Sequence, residues 1–181
     1  VAAGRGSREL LSTAGVDAPL TPIPKHALIT MRHDRLFDPL LIDWRSSSYI
    51  VQTKFGGFII GAELGEEPGG VAQPRIEYIP CAVKIWGRYF PWLPKVYILR
   101  YWTGYYIMSP DHHPIYGPVD GVEGLYVAAG FSGHGFMLGP ATGYVMSRWI
   151  LRGDPGIEQA KRLTLRRFAE GRLIHEKAVF G

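Results

Sequence analysis

The chain has 181 residues, 46% of them hydrophobic and 20% charged, a balance that excludes a disordered segment and allows one domain with a real core. Its net charge of +4 is spread along the chain apart from small clusters such as Lys161-Arg162 and Arg166-Arg167, which argues against a nucleic-acid reader. A single cysteine, Cys81, excludes an intrachain disulfide and argues against a cysteine-based metal site, and no apolar run approaches the ~20 residues of a membrane-spanning helix.

Val1-Ala2-Ala3-Gly4 reads as the end of a strand whose sheet neighbours are expected upstream, with Leu125 to Ala129 returning to the same sheet. Ser7 is a candidate N-cap for a short helix over 8–14, with Glu9 in its first turn and Gly15 as its stop. Pro19, Pro22 and Pro24 predict an extended crossing before a strand at 27–31. Three strands are expected next, at 40–42, 48–53 and 57–62, the last set off by the Phe55-Gly56-Gly57 turn. A glycine-rich loop at 65–70 precedes a helix predicted over 75–89, with Ile76, Ile79, Val83, Trp86 and Phe90 as its apolar stripe. Pro80 there implies a break, a kink or a first-turn position, and Cys81 reads as a small core residue.

The β-branched and aromatic run 96–108 predicts a strand interrupted at Gly104. It leads into Ser109-Pro110-Asp111-His112-His113-Pro114, a turn in which Asp111 is read as a turn-forming side chain rather than an acid–base catalyst. Neighbouring histidines on an extended chain point to opposite sides, so no metal site is expected. Leu125 to Ala129 is an apolar run of buried-strand type, which breaks into Gly130-Phe131-Ser132-Gly133-His134-Gly135-Phe136 before a helical pattern begins. Met137, Ala141, Tyr144, Val145 and Trp149 recur there at intervals of three and four, and Pro140 suits a first turn. A helix entered this way aims free N–H groups and the positive end of its dipole at whatever covers the loop, which favours an anionic group. The spacing G-x-x-G-x-G is not the G-x-G-x-x-G dinucleotide fingerprint, so spacing alone leaves a cofactor loop and mere close packing both open. Gly153-Asp154-Pro155 stops the helix, and 159–176 is a basic tail of one or two short helices anchored by Leu163, Leu165, Phe168 and Leu173, its arginines read as a solvated face.

Three segments, taken in order and spacing, carry a resemblance: Val1-Ala-Ala-Gly-Arg-Gly-Ser7, Trp102-Thr-Gly-Tyr-Tyr-Ile-Met-Ser-Pro-Asp-His-His-Pro-Ile-Tyr-Gly117, and GLYVAAGFSGHGF with MLGPATG following. Together they resemble the D-amino-acid-oxidase-type FAD-dependent amine oxidoreductases, most nearly the beta subunits of sarcosine oxidase and dye-linked L-proline dehydrogenase, over nearly the whole chain. The resemblance implies an α+β (α/β) fold. A substrate domain with a mixed or antiparallel sheet and flanking helices would be joined to the closing strand, loop and helix of an FAD-binding Rossmann-like domain whose N-terminal half is missing. The expected division is 1–24 for a remnant of the FAD domain and crossover, 25–117 for the substrate domain, 118–153 for the closing strand, glycine loop and helix, and 154–181 for the tail.

By resemblance, FAD is the cofactor, held non-covalently at a site incomplete in this chain by Ala3, Gly4, Gly130, Phe131, Gly133, His134, Gly135, Phe136 and Met137, with Ser7 a weaker candidate. Tyr49, Tyr106 and Met137 are the implied substrate contacts, and no catalytic residue is assigned. Several departures from the family bear on the chemistry. Met137 stands where several oxidases carry lysine, Tyr106 lies near the place of a carboxylate-binding arginine, Thr103 and Gly104 fall where a flavin-attaching cysteine occurs, and no lysine stands near Gly61. These departures favour a dehydrogenase, and a secondary amine such as proline or sarcosine suits the nearest relatives. The sequence does not begin with Met and lacks the G-x-G-x-x-G turn, so the glycine-rich half is expected upstream or on a complementary subunit, with a self-associated dimer as another way to complete the sheet. The electron acceptor is not read from the sequence. The alternative is a non-catalytic fragment or assembly subunit that keeps the fold without FAD, and nothing specific supports a flavin-independent ligand module. The absence of a signal peptide sets the cytoplasm as the expected location, with any membrane association made through a partner.

Overall fold

A computed structural model describes residues 1–174, 178 and 179; the end of the expected tail, including Glu176, lies outside them. The described residues form two compact units, Val1–Pro22 with Tyr106–Val179, and Ile23–Tyr105. The mixed helix and strand content agrees with the α+β expectation. No helix among the described residues is long and apolar enough to cross a membrane.

The Ile23–Tyr105 unit is built on a sheet of β1 (Thr21–Thr30), β2 (Leu41–Asp43), β3 (Ser48–Gln52), β4 (Phe58–Ala62) and β5 (Ile98–Met108), in the order β2-β3-β4-β1-β5. The pairs β2/β3, β3/β4 and β4/β1 are antiparallel. Alternation decides which face is covered: Ser48, Ile50 and Gln52 of β3 and Phe58, Ile60 and Ala62 of β4 are buried, and Ile50 sits opposite Ile60. Over that face lies α2 (Tyr78–Trp86), which buries Tyr78, Ala82 and Trp86 at four-residue spacing. The Tyr78 hydroxyl donates to the Ile60 carbonyl at 2.8 Å and ties helix to sheet. The expected stripe is thus displaced: Ile76 precedes the helix and is exposed, and the buried line runs through Tyr78, whose hydroxyl finds an acceptor inside the core. Because α2 starts at Tyr78, Pro80 falls in the first turn, where its missing N–H costs nothing.

Gly104 does not interrupt β5, which runs unbroken for 11 residues. Its β-branched and aromatic neighbours carry an exposed glycine through the extended conformation. Phe37, Phe58, Phe90 and Trp92 pack with ring centroids 5.3–5.7 Å apart, pairs that contribute about 0.5–1.5 kcal/mol each beyond buried area. Buried His26 fastens the glycine-rich loop, its Nε2 2.8 Å from Glu66 Oε1 and its Nδ1 2.7 Å from Thr103 Oγ1.

The other unit contains α1 (Ser7–Ser12), β6 (Ile115–Pro118), β7 (Tyr126–Ala129), α3 (Gly135–Arg152), α4 (Glu158–Lys161) and α5 (Arg166–Ala169). β6 and β7 form an antiparallel pair with Tyr116 opposite Ala128. Val1 lies on the other edge of β7: its nitrogen donates to the Tyr126 carbonyl, and the Ala128 N–H donates to the Val1 carbonyl at 2.9 Å, the hydrogen-bond pattern of a parallel pair. Ser7 is the first helical residue rather than the N-cap; it is buried, and its Oγ accepts from the Ala3 N–H at 3.0 Å, so it closes the turn that precedes the helix. Gly15 ends α1 as expected. At φ 74° it lets Val16 N–H reach the Leu11 carbonyl and its own N–H reach that of Ser12, the two bonds of a Schellman stop.

α3 begins earlier than the sequence suggests, which puts Pro140 inside it, past the first turn. The proline is exposed, so water can satisfy the carbonyl left free one turn back. Only Val145 and Trp149 of the expected stripe are buried; Met137 and Tyr144 are 67% and 51% exposed, so most of that helix face is uncovered.

Candidate functional site

The residues between β7 and α3 turn back sharply. Gly130, Ser132 and Gly133 have φ of 71°, 50° and 93°, three left-handed conformations within four residues. At Gly133 both backbone and space demand glycine, because a Cβ there would lie 2.6 Å from Cε2 of Tyr106, whose ring covers the loop backbone. Ser132 accepts the unusual φ with a fully buried, satisfied side chain. Its Oγ accepts from the Ser109 N–H at 3.2 Å and donates to the Gly130 carbonyl at 3.3 Å, while its own N–H donates to the Ile107 carbonyl at 3.0 Å. Phe131 packs edge-on against Tyr116 with centroids 5.7 Å apart.

His134 occupies the N-cap position of α3 but provides no side-chain cap. Its Nε2 lies 2.9 Å from the Ala178 carbonyl, and since a carbonyl can only accept, that nitrogen carries the proton. The first turn of α3 holds no acidic residue. The positive end of an 18-residue helix therefore has no side-chain cap and no acidic residue in its own first turn. Phe136 is 101% exposed there, with exposed Met137 beside it, an apolar pair in water at the start of the helix. The parallel pairing of Val1 with β7 carries Ala3 and Gly4 out at the same end of the sheet as Ala129 and Gly130. That end is the carboxyl end of β7 and of the parallel Val1 segment and the amino end of antiparallel β6; in open α/β sheets, ligands bind at the carboxyl ends of the strands.

Ala3, Gly4, Gly130, Phe131, Gly133, His134, Gly135, Phe136, Met137 and Tyr106 thus fall in one unit, around one loop and strand end. Tyr49 belongs to the other unit, half-buried on β3 with its ring across Gly61, and burial raises its hydroxyl pKa. Among the described residues no group of three His, Cys, Asp or Glu side chains could hold a metal ion.

Sequence reading understated Asp111. Its carboxylate is fully buried and paired with Arg167 through Nε–Oδ2 at 2.7 Å and Nη2–Oδ1 at 2.8 Å. It also accepts from the Ser109 hydroxyl and from the N–H groups of His113 and Ile174. Burial alone would raise its pKa, but the Arg167 hydrogen bonds and charge, helped by the two N–H groups, outweigh that and hold it at about 2. Arg167 corrects the expectation of a solvated tail: it is 2% exposed. Leu163 lies in the turn between α4 and α5, and its carbonyl accepts from Arg167 Nη1 at 2.8 Å, a contact that no periodic signal in the sequence marked.

Hydrogen cyanide synthase subunit HcnC of Pseudomonas protegens is 32% identical over 150 residues, covering 82% of this chain and 35% of that protein. Sarcosine oxidase subunit beta of Rhizobium meliloti is 26% identical over 177 residues, covering 98% of this chain and 42% of that protein. Among solved structures, L-proline dehydrogenase from P. horikoshii superposes with a TM-score of 0.88 at 30% identity, over 95% of this chain and 47% of that one. The chain therefore spans less than half the length of each of these relatives. The family model described as FAD dependent oxidoreductase, DAO, matches residues 1–149, and the chain belongs to that family.

Proposed function

We propose that this chain is the C-terminal part of an FAD-dependent amine or amino-acid dehydrogenase that oxidises a secondary amine such as proline or sarcosine. One observation carries the reading: the GFSGHGF loop opens an 18-residue helix whose N-terminus has no side-chain cap and no acid in its first turn, in a chain whose first 149 residues match the family. Such an end suits an anionic group, and the glycines keep Cβ atoms out of its way. Bound FAD would supply the hydride acceptor. The N–H groups of Gly135, Phe136 and Met137 would favour negative charge on it, and Ala3, Gly4 and Gly130 would border it at the strand ends. His134, proton on Nε2 and fixed by Ala178, would offer Nδ1 as an acceptor. Tyr106 would set the loop's shape and the substrate's approach, with Met137 lining that approach. Tyr49 is proposed as a substrate contact on resemblance alone. A thioether in place of lysine at Met137 supports a dehydrogenase over an oxidase. The glycine-rich half would come from upstream sequence or a complementary subunit, which accords with two relatives being named as subunits and with the uncovered Phe136 and Met137.

The test is the visible spectrum of the purified chain titrated with FAD, alone and co-expressed with the N-terminal portion of the P. horikoshii enzyme cut where the match begins. Bound flavin absorbance in the complemented protein, bleached by proline or sarcosine without oxygen, is the expected result. A protein that stays colourless in both arms is instead a fold-keeping, non-catalytic subunit.

A further inference from the structure

We infer that Arg167, more than thirty residues beyond the glycine loop in sequence, is a positioning residue for that loop. The inference rests on the loop's proposed role at the cofactor. All five guanidinium N–H groups of Arg167 are directed inward: Nε and Nη2 to Asp111, Nη2 also to the His113 carbonyl at 2.9 Å, and Nη1 to the carbonyls of Leu163 and Thr164. Its ring-facing side lies 4.2 Å from the Phe168 centroid. Asp111 in turn uses both oxygens, Oδ1 on Arg167, Ser109 and His113, and Oδ2 on Arg167 and Ile174.

From there the network runs directly to the loop. The Ser109 hydroxyl is shared between Asp111 Oδ1 at 3.2 Å and the His113 carbonyl at 2.6 Å, which fixes the Ser109 backbone; the Ser109 N–H holds Ser132 Oγ, and Ser132 holds the Gly130 carbonyl. Arg167, Asp111, Ser109 and Ser132 are each 3% exposed or less, so water does not compete for these bonds. Ser132 holds a left-handed φ between Phe131 and Gly133, a conformation in need of outside support. A surface helix of four residues, α5, is thereby coupled to the geometry of the helix start that would meet the cofactor.

Amide hydrogen exchange of the full chain reads this coupling without any flavin. Arg167→Met should accelerate exchange about tenfold or more both at 164–174 and at 130–136, with 58–62 unchanged as the internal control. Ser132→Ala cuts the last link, so exchange at 130–136 should rise while 164–174 keeps its protection. Arg167→Lys, which keeps the charge and loses the fork, should fall between wild type and the methionine variant. Should Arg167→Met fail to fold, the near-isosteric Asp111→Asn carries the same comparison. Loop exchange within about twofold of wild type in a variant whose tail has loosened would mean that the pair only fastens the tail, and the inference falls. If the unaltered protein takes up no flavin under complementation, the proposed function fails, while the exchange comparison still decides the coupling.

Discussion

Gly133→Ala isolates the constraint at the heart of the loop. Two costs add. At φ 93° an L-residue is strained, by about 1–2 kcal/mol on the scale of left-handed backbone. The new Cβ would also sit 2.6, 3.0 and 3.1 Å from Cε2, Cδ2 and Cζ of Tyr106, against ordinary carbon contacts of about 3.5–4.0 Å, so the ring must retreat by roughly an ångström. Overpacking of that kind costs about 1–3 kcal/mol. The expected loss is therefore about 2–5 kcal/mol, roughly 5–15 °C in melting temperature for a chain of this size. Urea unfolding followed by circular dichroism measures it, and Tyr106→Leu supplies the control. In the Tyr106→Leu background the steric part should vanish and only about 1–2 kcal/mol of backbone strain remain. A Gly133→Ala cost below about 0.5 kcal/mol, or an equal cost in both backgrounds, would refute the assignment of the glycine to the Tyr106 contact.

The Asp111 carboxyl titrates at about 2 in the folded chain against an ordinary 3.8. The folded value is the lower one, so its contribution is complete above about pH 4 and is lost as pH falls toward about 2, a loss of about 2 kcal/mol. Asp111→Asn should flatten the melting temperature over that window, and a variant that keeps the wild-type slope contradicts the assignment. Tyr78→Phe deletes a fully buried bond to the Ile60 carbonyl and should cost about 1 kcal/mol in urea unfolding; no change would mean the hydroxyl is idle. Phe136→Ser should leave stability within about 0.5 kcal/mol, since the ring touches water on all sides, yet weaken association with the complementary half in a titration; unaltered association would remove Phe136 from that contact.

The strands between Leu40 and Leu64 were legible because alternation and a glycine turn are local signals, and β2, β3 and β4 fall within a residue or so of their predicted places. The helix faces were not. On α2 a tyrosine with a buried acceptor shifted the buried line by one residue, from Ile79 and Val83 to Tyr78 and Ala82, and on α3 most of the apolar period describes a face that the described residues leave uncovered. Periodicity records that a face is to be covered, not by what. The strand–loop–helix was visible in the glycine spacing, but the network supporting it joins Ser109, Asp111, Ser132 and Arg167, positions that only the tertiary fold brings together. Ser7 misled for a related reason: a serine before a helical run signals a cap, and here the buried hydroxyl accepts from four residues upstream instead.

The pairing of Val1 with β7 has a kinetic side. It joins residues 125 apart, and the segment between them contains all of the Ile23–Tyr105 unit. The contiguous unit can condense as soon as its own residues are available, whereas the loop-bearing unit must wait until both of its segments are present and then close a long loop. During synthesis, Val1 to Pro22 precedes the Ile23–Tyr105 unit and remains unpaired with β7 while that stretch folds. The unit that carries the glycine loop thus closes after the Ile23–Tyr105 unit, and its Val1–Pro22 segment waits exposed to mispairing in the interval.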